Sequence, residues 1–413
     1  MSRFLTLFNP DLPRTVWVLQ LGVLVNFLGN GLVGPFLVIY LYFGRGIPIA
    51  LAASAVAFGG ITAVTSGLLA GALADRIGPR SVLVAGMLCN AAAYGLYTQV
   101  TVPWQAFAVG LLVGVGTGAF GPSVQSLIAS MVPPENRQAA FAQNRVTSVV
   151  GLGLGGVIGG LIAARGLQGY LLLLVLDSIT FLVMAAVPLL LPSGRSPVRA
   201  GAGGGYALVI RDRGFLQLTG LNILMVSTGL APMFVLLPAY AKVQAHVGVT
   251  AIGFIYAAST FTVVAAQLPV ARFTRGRNRM QMLRAGATAW IASWTVILAA
   301  GAWLSGGSAA IVIGLAAVAY AIGECLYSSI MLPTATALAP DTLRGRYLGV
   351  MGLSWQSGFL LGPSLGGAVL GAFPLALPAL CAAGSVAAAL GSGAVDRSLD
   401  QELRRTPVPV RAA

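Results

Sequence analysis

Apolar runs of about twenty residues recur along this chain, and their repetition limits the fold more than any other feature. A helix of roughly 20 apolar residues crosses the hydrocarbon core of a bilayer. In lipid, only helices and closed barrels satisfy every backbone polar group. The runs fall near 16–43, 49–70, 81–100, 104–131, 138–164 and 169–191, then near 215–240, 251–273, 282–304, 308–332, 347–372 and 374–395. They predict an all-α integral membrane protein of twelve transmembrane helices. Composition agrees: 57% of the 413 residues are hydrophobic and 8% are charged, more apolar surface than a soluble core absorbs. The first run follows Arg3 and Arg14, is too long for a secretory leader and has no A-x-A site. It is therefore expected to be a span and not a cleaved signal.

The basic excess, 24 Lys+Arg against 10 Asp+Glu, forms no patch on a soluble domain, which argues against nucleic acid as a partner. Twenty of the basic residues fall on the side that takes the N-terminus, the even-numbered loops and the C-terminus. The other side has Arg45, Arg165 and Lys242. The positive-inside rule then predicts a multi-pass protein of the inner (plasma) membrane with both termini cytoplasmic. One connection is long and polar, PSGRSPVRAGAGGGYALVIRDRG at 192–214. It reads as a cytoplasmic linker between six-helix halves at 1–191 and 215–413.

The halves also repeat. A shift of 207 positions lays Pro133 on Pro340 and Arg137 on Arg344. In the same frame Gly151, Gly155, Gly159 and Gly160 fall on Gly358, Gly362, Gly366 and Gly367. Four glycines in one frame with a proline and an arginine argue for internal duplication. Two six-helix repeats are the build of a large class of secondary transporters.

GALADRIGPR (71–80) resembles the cytoplasmic signature of the major facilitator superfamily, G-x-L-A-D-R-x-G-x-[RK], at every fixed position. GFLLGPSLGG (358–367), with Pro363, is similar to the glycine-proline motif of the drug/proton antiporter branch. GLGLGGVIGG (151–160) looks like its first-half copy, with Gly156 where the branch has proline. LAPDTLRGRYLG (338–349) and GECLYSS (323–329) also resemble multidrug exporters. The chain departs from the branch at Gly110, where an arginine is usual, and in ARFTRGRNR (271–279), a second-half signature that has lost its acid. The resemblance implies the major facilitator fold, two pseudo-symmetric six-helix halves. It implies a secondary active transporter working by alternating access, with proton-coupled efflux of small amphipathic compounds as the leading activity.

The resemblance assigns Gly71, Asp75, Arg76, Gly78 and Arg80 to a cytoplasmic gate. Asp75 would pair with nearby cations and with the helix entered through Arg344 and Arg346. A charged cluster of that kind can bias a two-state element. Glu324, inside the tenth span, is the first candidate for proton coupling, because an intramembrane carboxyl is costly and points to function. Asp177 in the sixth span is the second, with a structural hydrogen bond as its plainer role. Tyr320 and Tyr327 flank Glu324 on its own helix. Candidate cavity groups are Asn26, Asn30, Arg145, Asn222, Trp355 and Gln356; for most of them an interhelical hydrogen bond explains the residue equally well. Arg145 either faces the cavity as a counter-ion or snorkels to the interface.

Other chemistry has little support. The sole lysine, Lys242, follows Ala241, so there is no P-loop and no nucleotide site. One histidine, His246, cannot make a zinc site of the H-E-x-x-H type, so neither a metal nor another cofactor is expected. Cys89, Cys325 and Cys381 read as small buried hydrophobes. No nucleophile–base–orienter set marks an enzyme. Partners are expected to be a small-molecule substrate, protons and the lipid bilayer, with the monomer as the working unit. Transport of a specific metabolite or lipid, and a non-transporting membrane sensor or receptor, remain the alternatives.

Overall fold

The computed structural model describes residues 13–132, 137–191, 209, 211–340, 343–399 and 404–406. The chain forms two compact units, Met1–Ala200 and Gly201–Ala413. The expected linker at 192–214 falls mostly outside the described residues.

The first unit contains α1 (Arg14–Val33), α2 (Ile49–Ile77), α3 (Pro79–Tyr97), α4 (Pro103–Met131), α5 (Arg137–Ala163) and α6 (Leu167–Ala186). The second contains α7 (Arg213–Met225), α8 (Val249–Phe273), α9 (Arg279–Trp303), α10 (Gly306–Leu338), α11 (Arg344–Ala372) and α12 (Ala376–Ser398). Ten stretches among the described residues are long and apolar enough to cross a membrane, and only α3 and α11 supply none of them. The chain is thus an all-helical, multi-pass membrane protein.

Local sequence explains where these helices start and stop. Pro79 and Pro103 occupy first positions, where the missing N–H costs nothing. Asp212 and Asn278 cap α7 and α9, accepting from the amides of Phe215 (3.0 Å) and Gln281 (2.9 Å). Gly78 has φ +89° and separates α2 from α3; this left-handed region is open to glycine and strained for other residues. The first helix of each unit is interrupted. After α1 comes a 3-10 turn at Gly34–Phe36 and a π-turn at Tyr40–Gly44; after α7 comes a π-turn at Val226–Leu230. Pro122, Pro269, Pro333 and Pro363 lie within α4, α8, α10 and α11, positions that membrane helices tolerate better than soluble ones.

The same pairings hold each unit together. α1 packs on α5 and α6, α2 on α4, and α3 on α4 and α6; α7 packs on α11 and α12, α8 on α10, and α9 on α10 and α12. Lipid offers no hydrophobic drive for helices to associate, so close backbone approach matters. Glycines supply it. A methyl group on Gly151 would meet Leu24 O at 2.7 Å, and one on Gly159 would meet Leu32 O at 2.6 Å, so α5 runs against the main chain of α1. In the equivalent place Gly358 abuts Val226 and Gly362 abuts Ser227 and Ala231, so α11 runs against the start of the second unit in the same way. Gly110, Gly114 and Gly118 bring α4 against Ala55, Gly59 and Ala63 of α2.

Candidate functional site

Of the ten acidic residues in the sequence, two lie near the middle of a long helix, Asp177 in α6 and Glu324 in α10. α10 is longer than the predicted 308–332 span, running Gly306–Leu338, so its midpoint falls at residue 322. Glu324 therefore lies within about 3 Å of mid-helix along the axis.

Aromatic side chains of the second unit pack on the two tyrosines that flank Glu324 along α10. Trp290 of α9 stacks on Tyr320 with centroids 5.2 Å apart and planes at 12°. Its indole N–H donates to the Tyr320 carbonyl at 3.1 Å, and its ring lies 5.8 Å from Tyr327. Gly323 makes this possible, since a methyl there would lie 2.7 Å from the indole. Glu324 is half-buried, four residues after Tyr320 and three before Tyr327 on α10, and Tyr256 stands on α8, which packs on α10. Tyr256 also meets Phe234 edge-on at 5.7 Å.

Two of the predicted cavity groups are joined to each other. The Tyr327 hydroxyl donates to Asn222 Oδ1 at 2.6 Å, and Asn222 Nδ2 donates to Ser354 Oγ at 2.7 Å. All three are buried, so this chain ties α10 to α7 and α11. Further along α10, the Gln267 side chain donates to Ser329 Oγ (3.1 Å) and accepts from Ser328 (3.0 Å). Trp355 is 40% exposed and packs on Phe359 at 4.2 Å; Gln356 beside it is half-buried.

The first unit buries its mid-helix acid more deeply. Asp177 has no exposed surface; Oδ1 accepts from the Thr180 hydroxyl at 2.9 Å, while Oδ2 has no hydrogen-bond partner among the described residues. Gly29 of α1 leaves the space that Asp177 and Thr180 fill. Asn26 is buried with an unpartnered Oδ1, and Asn30, half-buried, donates to the Asn26 carbonyl at 2.9 Å. Asn144 donates to Gln20 at 3.2 Å. Its neighbour Arg145 is exposed.

The charged signature lies at the end of α2. That helix has 29 residues, about 43 Å at 1.5 Å per residue, against a hydrocarbon core of about 30 Å. Arg76 is exposed. Arg80 donates to the carbonyls of Leu189 (2.8 Å) and Leu191 (3.2 Å), which caps the chain leaving α6 with a cation, as helix C-termini favour. The side chains of Asp75 and Arg344 lie outside the described residues, and Arg346 is half-buried.

Sequence reading missed Trp290, Tyr256 and Ser354. No local signal marks them, because an aromatic or serine on an apolar helix looks the same whether it meets lipid or another helix. Cys89, Cys325 and Cys381 are free thiols. Among the described residues no cluster of His, Cys, Asp and Glu could hold a metal ion.

Comparison with known proteins places this geometry in a family. Multidrug resistance protein MdtH of Cronobacter sakazakii is 29% identical over 227 residues, 53% of this chain and 54% of that protein. The protein of the same name from Yersinia pestis is 30% identical over 228 residues, with the same coverage. The chain thus spans about half the length of the curated relatives it matches. The crystal structure of the peptide transporter POT in complex with sulfate shares the fold, with a TM-score of 0.74 over 95% of this chain and 96% of that one at 18% identity. The Major Facilitator Superfamily profile matches residues 19–363, and with the glycine-lined helix contacts within each unit and the α2–α3 signature the chain belongs to that superfamily of membrane transporters.

Proposed function

We propose that the protein exports small amphipathic, cationic compounds in exchange for protons, with Glu324 as the group that carries the proton. The observation that carries this reading is a half-buried carboxyl near the middle of α10, with Tyr320 one turn before it and Tyr327 one turn after it. A carboxylate beside aromatic faces attracts a lipophilic cation by charge and by cation–π contact. The same carboxyl can instead hold a proton in a low-dielectric setting. One group that takes either a proton or a cation, and not both, couples the two fluxes. The multidrug-resistance names of the relatives support the same class of cargo.

Asn222 and Tyr327 already satisfy each other, so the predicted polar groups with capacity left for cargo are Asn26, Asn30, Arg145, Tyr320 and Gln356, with Trp355 as an apolar wall. Access would alternate by rocking of the two units joined by the 192–214 linker, with Gly71, Asp75, Arg76, Gly78, Arg80, Arg344 and Arg346 as the gate. Both termini would face the cytoplasm from an inner membrane, and the working unit would be the monomer. A second reading, transport of an anionic metabolite or lipid, draws on Arg145, whose exposed guanidinium makes no hydrogen bond or ion pair among the described residues.

Proteoliposomes with a lumenal pH dye test the proposal. Lipophilic cations should move protons in wild type and fail to do so in Glu324→Gln. Equal responses would transfer the role to another group such as Asp177. No response in either, while a reference antiporter responds, would end the exporter reading and favour an anion screen.

A further inference from the structure

The end of α8 and the start of α9 enclose the other feature of the second unit that suggests a ligand. The chain after α12 returns to this corner and pairs with the α8–α9 turn. Arg279 N–H donates to the Arg404 carbonyl (2.8 Å), Thr406 N–H to the Arg277 carbonyl (3.0 Å), and Gly276 N–H to the Thr406 carbonyl (3.2 Å). Asn278 and Arg405 thereby form an antiparallel bridge. The buried Arg279 side chain reinforces it, donating to the Arg405 carbonyl at 3.3 Å. This clip frames an open crevice of about 880 Å³ lined by Phe273, Arg277, Asn278, Gln281, Arg404 and Arg405.

The lining has two chemistries. Arg277 and Arg405 are exposed cations, while Arg404 is held inward by its bonds to the carbonyls of Leu399 (3.0 Å) and Arg397 (3.5 Å). The Arg277 guanidinium lies 3.4 Å over the ring of Phe273, and that ring is 54% exposed at the end of an apolar span. Arg272, Arg275, Arg284 and Arg397 add positive charge nearby. Among the described residues Asp396 is the acid in contact, and its Oδ1 already accepts from Asn278 at 2.9 Å; Asp400 and Glu402 fall outside the described residues. The apolar spans of α8 and α9 end at this turn, which the charge distribution of the sequence expects at the cytoplasmic membrane surface.

We infer that this crevice binds the phosphate headgroup of an anionic phospholipid, with Arg277 and Arg405 on the phosphate and Phe273 against the upper acyl chain. Planar guanidinium groups suit phosphate oxygens. An aromatic ring at the same depth suits a lipid better than a free anion, which has no apolar part to bury. Residues 404–406 complete the site by pairing with the α8–α9 turn, and so serve as part of a lipid clamp.

The test uses the full-length protein purified in neutral detergent, with native mass spectrometry of bound dihexanoyl phosphatidylglycerol, dihexanoyl phosphatidylcholine and inorganic phosphate. Wild type should bind the glycerol lipid in preference to the choline lipid. R277Q and R405Q should each weaken that binding about fivefold, and the double variant about 25-fold, given the usual gain per basic residue at an anionic surface. R277K with R405K should keep most of the binding, and it controls for loss of fold in the neutral variants. Equal binding of the two lipids, or an unchanged double glutamine variant, overturns the inference. Inorganic phosphate binding as tightly as the glycerol lipid also overturns it, leaving a site for a free anion. The readout is lipid occupancy, so it stands apart from whether the protein moves protons or drugs.

Discussion

Glycine-lined helix contacts should fail in proportion to what an added methyl group strikes, and α11 allows the comparison on one helix. A Cβ on Gly362 would lie 2.6 Å from the Ser227 carbonyl oxygen, 3.0 Å from Ala231 Cβ and 3.2 Å from Ser227 Cα. A Cβ on Gly352 would meet nothing within 4 Å. Carbon contacts settle at about 3.5–4.0 Å, so Gly362→Ala must push α11 off the start of the unit by roughly 0.5–1 Å. Two of the obstacles are backbone atoms, which cannot rotate away. Overpacking of this kind costs about 1–3 kcal/mol. Both substitutions gain about 1 kcal/mol of helix propensity, and that gain cancels between them. Gly352→Ala should therefore be neutral to stabilising and Gly362→Ala destabilising, with a gap of about 1–3 kcal/mol. At about 2–4 °C per kcal/mol for a unit of this size, the melting points should differ by roughly 2–12 °C.

A thiol-reactive fluorophore reads the melt, because Cys325 and Cys381 are buried free thiols in the same unit. A Cys89→Ser background removes the partly exposed thiol of the other unit. If the two alanine variants melt together, or Gly362→Ala melts higher, the packing argument for this motif is wrong. The first unit offers the matching pair: a Cβ on Gly155 would lie 2.9 Å from Gly31 Cα and Leu32 N, whereas Gly60 has open space.

Two more substitutions test the buried polar groups. Asn222→Ala strands the Tyr327 hydroxyl and removes a donor from Ser354, and should destabilise the second unit by about 1–3 kcal/mol in the same melting assay; a loss no greater than that of Ser354→Ala would show that Asn222 is not the centre of the chain. Asp177→Asn keeps an acceptor for Thr180 and carries no charge, so it should cost less than about 1 kcal/mol, while Asp177→Ala leaves a gap and should cost about 1–3 kcal/mol. Equal damage from both would point to an ionised Asp177.

Much of the architecture was readable without coordinates. The bilayer acts as a uniform apolar solvent, so span length and apolarity suffice to predict membrane helices. Two of the twelve predicted spans, α3 and α11, lack the apolarity that marks the other ten. The 207-residue frame lays glycines of α5 on glycines of α11, and in the structure Gly151 and Gly159 lie against α1 while Gly358 and Gly362 lie against residues 226–231 of the second unit. Gly78 was legible as a turn residue because its left-handed φ is a local requirement.

The candidate site was legible only along its own helix. Glu324, Tyr320 and Tyr327 share α10, so their spacing placed them together. Tyr256 and Trp290 come from other helices. The bonded pairs Tyr327–Asn222, Asn222–Ser354 and Arg80–Leu189 are separated by 105, 132 and 109 residues. A helix that is apolar on every side carries no stripe to say which face meets a neighbour. By itself, then, the sequence determined that the chain is a duplicated bundle of membrane helices with two mid-helix acids and a charged turn after its second helix. Which aromatic rings pack on Tyr320 and Tyr327 and which carbonyls hold Arg80 were decided by helix-on-helix packing, because those contacts depend on the rotation of each helix about its own axis.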